Sequence, residues 1–240
     1  MTESRRDELQ ERLARTEERI TAACRSAGRA RDDVTLIVVT KFFPATDVAT
    51  LVDLGVRDMG ENRDQEAKAK VGELEALLGP GGRMPRVHFI GQAQRNKAAS
   101  IAHYADVIHS VDRERLAAAL DRGAASAGRT LDVLIQVDLD PVPDPGRGGA
   151  VPADLPSLAD AIAGLEHLRL RGLMTVAPLG MEPDAAFGRL AELAEELRSV
   201  HPQARWISAG MSADLESAVR YGATHLRVGT AILGSRPSHR

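Results

Sequence analysis

The chain alternates between segments with helical and with strand-like hydrophobic patterns. Residues 3–28 carry apolar side chains near helical spacing, with charges on the opposite face and Gly28 as a stop signal. Residues 34–39 form a continuous, mostly β-branched run, which is typical of a strand covered on both faces. Further strands are predicted at 56–59, 86–90, 106–110, 131–138, 167–174, 204–208 and 224–228. Helices are predicted between them at 46–54, 62–78, 95–103, 112–127, 155–164, 184–200 and 212–221.

Short connections between these elements predict parallel strands joined by crossover helices. Eight such units in about 210 residues favour a closed (β/α)8 TIM barrel, of the α/β class, over an open doubly wound sheet. No G-x-G-x-x-G sequence follows the first strand, which disfavours the Rossmann alternative. We therefore expect a single barrel domain over residues 1–240, with an N-terminal helix at about 3–28 and the barrel at about 34–236.

Composition narrows the classes of function. The 240 residues are 43% hydrophobic and 27% charged, which is enough apolar material for a sizeable core. A net charge of −3 does not favour nucleic acid as a partner, and no apolar run is long enough to span a membrane. Cys24 has no cysteine to pair with, and residues 1–10 lack the apolar segment of a signal peptide. A cytoplasmic protein is expected.

Lys41 is the first candidate for chemistry, because it directly follows the first strand and barrel active sites lie at the carboxyl ends of strands. Partial burial there favours the neutral amine, which is the form that adds to an aldehyde. Two alternatives remain open: a lysine that extends to solvent at a strand end, or one that pairs with Glu61.

The loops after the last two strands are the second candidate. Ser208, Gly210, Gly229 and Thr230 offer hydroxyls and backbone N–H groups where barrels of this type often bind phosphate, and residues 230–233 would form the short helix. Ordinary turn chemistry is the alternative. Together with a lysine on the first strand, such loops describe a pyridoxal phosphate pocket.

Arg227 shares a strand face with Gly229 and is expected to point into the barrel, where an unpaired charge is costly. Its partner is either a ring nitrogen or a carboxylate on a neighbouring strand. His109 is either a general base or a structural hydrogen-bonding group, and His88 is expected to lie deeper. Glu61 either orients Lys41 or Asn62, or is a solvated charge at the rim. No spacing of His, Cys, Asp and Glu indicates a metal site.

Six motifs occur in an order that resembles the pyridoxal phosphate homeostasis proteins, from about residue 9 to 236. The motifs are Val39–Phe42, Gly60–Asn62, His88–Lys97, Arg171–Pro178, Ser208–Asp214 and Arg227–Gly234. The family is built like the N-terminal barrel domain of alanine racemase. The resemblance implies that Lys41 holds pyridoxal phosphate as a Schiff base and that Arg227 faces the pyridine nitrogen. The remaining cofactor-binding residues that it implies are Asn62, Ser208, Gly210, Met211, Gly229 and Thr230, with Ser212 continuing the phosphate loop.

Departures from the family pattern fall at the rim of the pocket. Arg63 stands where a tyrosine is common, Ala93 where an aliphatic residue is expected, and Arg147 where many members have lysine. The loop at 141–145 is rich in proline. The roles of Arg63, Lys97 and Arg147 stay open.

Three functions are compatible with these features: a carrier that acts in pyridoxal phosphate homeostasis and delivery, a racemase-type enzyme, and a barrel enzyme for another phosphorylated metabolite. A racemase needs a base on each face of the substrate carbon. Tyr104 and Tyr221 precede strands four and eight, so both are expected at the amino-terminal face, away from the cofactor. A non-enzymatic carrier is therefore favoured, with apo-enzymes that use pyridoxal phosphate as acceptors. The resemblance to the family implies a monomer.

Overall fold

The structure is a computed structural model that covers residues 3–140, 148–178 and 180–235. Within these ranges, eight parallel strands close into a barrel in chain order, and the last strand pairs with the first. The strands are β1 Thr35–Val39, β2 Asp58–Glu61, β3 Arg86–Phe89, β4 Val107–Val111, β5 Leu131–Gln136, β6 Leu168–Met174, β7 Trp206–Ser208 and β8 His225–Val228. The (β/α)8 prediction is confirmed.

Helices surround the barrel and follow the predicted order. They are α1 Glu3–Ser26, α2 Ala45–Asp53, α3 Asp64–Leu78, α4 Ala98–Tyr104, α5 Glu114–Ser126, α6 Leu155–Ala163, α7 Pro183–Val200, α8 Leu215–Arg220 and α9 Thr230–Leu233. Within the described ranges, none of them is both long and apolar enough to cross a membrane.

The second strand lies two residues later than the predicted 56–59, because Val56 belongs to the turn that ends α2. Its N–H donates to the carbonyl of Leu51 at 2.9 Å. Strand β2 therefore includes Gly60 and Glu61, which the sequence pattern placed in the loop after it. This shift decides which way the Glu61 side chain points.

Helix α1 covers the side of the barrel where β8 meets β1, and it packs on α8 and α9. Leu9 and Ile20 are fully buried in this contact. Arg19 donates to the carbonyl of Ser212 at 3.2 Å, and Arg5 donates to the carbonyl of Leu233 at 3.1 Å. The first helix thus braces the loops that follow β7 and β8.

The barrel interior contains an unusual number of polar groups. The rings of His88 and His109 are fully buried there, and His225 is 5% exposed. Burial lowers the pKa of His88, lowers that of His109 well below its usual range, and lowers that of His225 to about 3. All three rings are therefore neutral at pH 7.

These neutral histidines predict acid-sensitive stability. Below about pH 6.5 each of these rings is protonated in the unfolded chain but stays neutral in the folded chain. The free energy of unfolding should therefore fall with falling pH, by up to about 1.4 kcal/mol per pH unit for each ring. Urea unfolding over a pH series should show this slope reduced by about 1.4 kcal/mol per pH unit in His225→Gln. The exposed His103→Gln is the control. An unchanged slope in His225→Gln would contradict the assignment.

Candidate functional site

Lys41 lies at the carboxyl end of the barrel, between the loops that follow β2 and β8. Val39 of β1 is paired with Gly60 of β2, and Val38 is paired with Val228 of β8. Lys41 therefore follows β1 at the level where both neighbouring strands end. Its side chain is half-buried. Sequence reasoning placed this lysine correctly because the apolar run before it is long and uninterrupted.

The turn directly after Lys41 is strained. Among the described residues, Phe42 is the non-glycine residue with a positive φ, at 71°. Such a conformation costs of order 1 kcal/mol or more and persists only when its surroundings enforce it. Here the carboxylate of Glu66 on α3 accepts the Phe42 N–H. The Phe42 ring also packs on cations, with the guanidinium carbon of Arg63 5.5 Å from its centroid.

A buried ion pair holds the ends of β1 and β2 together below that turn. Lys70 of α3 is 5% exposed, and its ammonium donates to Glu61 at 2.6 Å and to the carbonyl of Thr40 at 2.7 Å. The Thr40 hydroxyl donates to the same Glu61 oxygen at 2.6 Å, and Lys70 also reaches Glu66 at 3.3 Å. The residue before Lys41 is thus held through both its carbonyl and its hydroxyl.

Glu61 is fully buried, which rules out the alternative of a solvated charge at the rim. Burial raises the pKa of Glu61, and the nearby Lys70 opposes that shift. Among the described residues, its Oε2 has no hydrogen-bond partner. Sequence reasoning missed Lys70, although the signal was present. Lys70 shares a helical face with the buried Ala67, Val71 and Leu74.

Two glycines let the loops after β7 and β8 approach the barrel. Gly210 has φ of +90°, and a Cβ added there would lie 2.6 Å from the Cβ of Ala218. A Cβ added at Gly229 would lie 3.3 Å from the backbone oxygen of Val39. A side chain at either position would crowd these neighbours. Glycine therefore lets the two loops pack closely where the phosphate is predicted to bind, and we call the space between them the phosphate cup.

Hydroxyl and N–H groups converge between these two loops. The Thr230 hydroxyl contacts that of Ser212 at 3.2 Å, and the Ala231 N–H reaches the Ser212 oxygen at 3.4 Å. The Met211 N–H donates to a carboxylate oxygen of Asp214 at 2.6 Å, which orders the β7 loop. Ser212 was expected only to continue the phosphate loop, but its hydroxyl oxygen contacts both Thr230 and Ala231 and so joins the two loops.

Arg227 points into the barrel as predicted, and its guanidinium is buried. It donates from Nη1 to the Ser208 hydroxyl at 2.7 Å and from Nη2 to the carbonyl of Thr175 at 2.8 Å. Neither of these acceptors is a carboxylate. Burial lowers the pKa of Arg227 to about 10, which leaves it charged at neutral pH. A buried cation with only neutral acceptors has N–H capacity left for an electron-rich ligand group.

Ser208 lies deeper than its predicted role in phosphate binding requires. It is fully buried, and its hydroxyl oxygen lies 2.9 Å from Nδ1 of His109 as well as beside Arg227. His109 and His88 form hydrogen bonds in the barrel interior, which matches the structural alternative for His109. Direct contact between Ser208 and a phosphate stays a prediction.

A cleft of about 420 Å³ opens beside Asn62, between α3 and the loop after β3. Asn62 itself is half-buried. Lys97 lies in this wall with its ammonium 3.8 Å from Asp64. Ala93 is buried. Arg147 and the proline-rich loop at 141–145 lie outside the described residues.

Comparison with known proteins identifies the class of this barrel. The alanine racemase N-terminal domain family matches residues 13–237. A pyridoxal phosphate homeostasis protein of Mycobacterium tuberculosis is 46% identical, with 97% of this chain and 94% of that protein covered. One of Escherichia coli is 35% identical, with 96% and 97% covered.

A solved structure extends the likeness to the fold. PipY of Synechococcus elongatus, solved with pyridoxal phosphate bound, has a TM-score of 0.80 and 38% identity, covering 94% of this chain and all of that one. The chain belongs to the family of pyridoxal phosphate homeostasis proteins, as its six motifs indicate.

Replacement of Lys70 tests whether its ion pair with Glu61 holds the strand end that precedes Lys41. Lys70→Met leaves the Glu61 carboxylate buried without its ammonium partner, so we expect the free energy of unfolding to fall by about 3–5 kcal/mol in urea. Lys68→Met, on the exposed face of the same helix, is the control. The double variant Lys70→Met, Glu61→Gln removes both charges and should recover part of the loss. A single variant as stable as the control would show that the pair does not hold the site.

Proposed function

We propose that this chain holds pyridoxal phosphate as a Schiff base of Lys41 and acts as its carrier in homeostasis and delivery inside the cell. The observation that supports this most is the meeting of three features at one barrel end. These are a half-buried lysine on β1, the glycine- and hydroxyl-rich loops after β7 and β8, and the buried cation of Arg227. A relative with 38% identity was solved with this cofactor bound.

The residues present fit the group. Pyridoxal phosphate supplies an aldehyde, an aromatic ring nitrogen and a phosphate. The Lys41 amine would condense with the aldehyde carbon with loss of one water, so no oxidant or reductant would be required. The backbone and hydroxyls of Gly210, Met211, Ser212, Gly229 and Thr230 would hold the phosphate, and Asn62 would lie beside the ring.

Arg227 sets how strongly the bound cofactor can withdraw electrons. A guanidinium can only donate hydrogen bonds, so opposite a ring nitrogen it leaves that nitrogen unprotonated. An unprotonated ring withdraws electrons less strongly than one that faces a carboxylate. The site therefore favours storage of the aldehyde over stabilisation of a carbanion.

The racemase alternative needs a second proton-transfer group that faces the substrate carbon opposite Lys41. Tyr104 ends α4 and Tyr221 follows α8, so their backbones lie toward the amino-terminal face. The Tyr104 side chain reaches back toward Asp64 and Glu61, but burial, with both carboxyl groups adding to the effect, raises its pKa, so the hydroxyl stays protonated and is a poor base at neutral pH. His109 is fully enclosed in the barrel interior. We infer a non-enzymatic role, with apo-enzymes as acceptors.

Reduction with borohydride tests the attachment. The chain has four lysines, Lys41, Lys68, Lys70 and Lys97. After incubation with pyridoxal phosphate and reduction, peptide mapping should find the pyridoxyl group on Lys41. Lys70 is buried in its ion pair, and the exposed Lys68 reports adventitious labelling in the same sample. Lys41→Ala should stay folded and lose the visible absorbance of the loaded protein.

Even labelling of all four lysines would refute the proposal.

If the chain is a carrier, we also expect the loaded protein to reactivate an apo-enzyme, measured against an equal concentration of free cofactor. The Lys41→Ala variant should not do so. Racemisation of a common amino acid well above the background rate would instead favour the enzymatic alternative.

A further inference from the structure

A continuous file of buried polar groups runs through the barrel interior, from the candidate site to the opposite face. Arg227 donates to the Ser208 hydroxyl at 2.7 Å, and that oxygen lies 2.9 Å from Nδ1 of His109. Nε2 of His109 lies 2.9 Å from Nδ1 of His88. Nε2 of His88 lies 2.9 Å from the carboxylate of Asp58, at the amino end of β2. We call these five groups the histidine file.

The two ends of the histidine file fix the direction of every hydrogen bond in it. A guanidinium has no acceptor, so Ser208 accepts from Arg227 and its own proton is free to go to His109. Nδ1 of His109 then accepts, and a neutral ring carries its proton on Nε2 and donates to His88. His88 in turn donates from Nε2 to the Asp58 carboxylate, which can only accept.

The reverse direction is excluded for neutral rings. If His109 donated to Ser208, His88 would donate from Nδ1 and turn the bare lone pair of Nε2 toward the Asp58 carboxylate. A doubly protonated His88 would relieve that clash. Burial is the main cause that lowers the pKa of both His88 and His109, so the neutral arrangement is the stable one.

We propose that His88 and His109 are positioning residues: anchored by Asp58, they hold the Ser208 hydroxyl as the acceptor that fixes Arg227. Among the side chains of the described residues, the Ser208 hydroxyl is the acceptor that holds Arg227, and the other acceptor is the backbone carbonyl of Thr175. The link to the pyridine nitrogen rests on the proposed function. The direction of the hydrogen bonds does not.

Other charged and titratable groups surround the histidine file without joining it. Arg86 and Asp106 act on His88 from the amino-terminal side, and Asp214 acts on Arg227 from the β7 loop. The third ring, His225, contacts both histidines edge-on or tilted, with centroid separations of 6.3 and 6.4 Å, and hydrogen-bonds to Thr224. Within the described ranges, no group of three or more His, Cys, Asp and Glu is arranged to hold a metal.

Long-range ¹H–¹⁵N NMR of the full chain without cofactor tests the direction. We expect His88 and His109 to be neutral at pH 7, each with its proton on Nε2. Resonances are assigned with His88→Gln and His109→Asn. A proton on Nδ1 of His109, or a doubly protonated ring in either position, would overturn the proposal.

Asp58→Asn tests the anchor at the far end. An amide can donate as well as accept, so both tautomers of His88 and His109 should appear. Asp121→Asn is the matched control, because its carboxylate is 19% exposed against 18% for Asp58 and lies outside the histidine file. In the loaded protein we expect Asp58→Asn to weaken pyridoxal phosphate binding about fivefold, because mixed tautomers of the two histidines no longer hold Arg227 in one orientation. Asp121→Asn should bind as the natural chain does.

Rescue separates positioning from mere stability. His109→Asn places an amide oxygen where Nδ1 accepts from Ser208, so it should bind the cofactor more tightly than His109→Phe at equal folded fraction. Equal binding by these two variants, or unchanged binding in Asp58→Asn, would refute the positioning role. Failure of every variant and of the natural chain to bind pyridoxal phosphate would refute the proposed function and, with it, the link to the cofactor. The NMR result would still decide the hydrogen-bond direction.

Discussion

The candidate site depends on the buried ion pair between Lys70 and Glu61. Two opposite charges removed from water are stable only in close contact and with further hydrogen bonds, which ties α3, β1 and β2 to one relative position. The same ammonium holds the carbonyl of Thr40, and Glu66 holds the N–H of Phe42. Lys41 stands between these two fixed residues. The backbone on both sides of Lys41 is therefore held from the layer of helices behind the barrel wall.

The barrel interior continues this polar organisation to the opposite face. TIM barrels are generally filled by branched apolar side chains, whereas here His88, His109, Ser208 and Arg227 occupy the centre. Every one of these groups has a hydrogen-bond partner, which is the condition under which a buried polar network stabilises a unique arrangement. The cost of burying the cation of Arg227 is therefore offset by a chain of acceptors that ends on a carboxylate near solvent.

Sequence patterns predicted the order of the strands and the place of Lys41, because both depend on local hydrophobic runs. They did not predict that Glu61 faces α3, because a two-residue shift of β2 moves Glu61 from the loop into the strand. The depth of Ser208 and its contact with His109 arise between β4 and β7, which pair with different neighbours. Contacts between strands that are distant in the chain leave no periodic signal in either segment.

These two polar systems divide the work of a site suited to holding a reactive aldehyde. The ion pair of Lys70 and Glu61 holds the residue before Lys41 from outside the barrel, and the histidine file holds the Arg227 guanidinium from inside it. In the described residues the two systems share no side chain. Under the proposed function, a donor opposite the ring nitrogen weakens the electron withdrawal that racemase chemistry needs, while attachment of the aldehyde requires only the amine. The proposed site therefore separates retention of the cofactor from its activation, which is the property expected of a carrier.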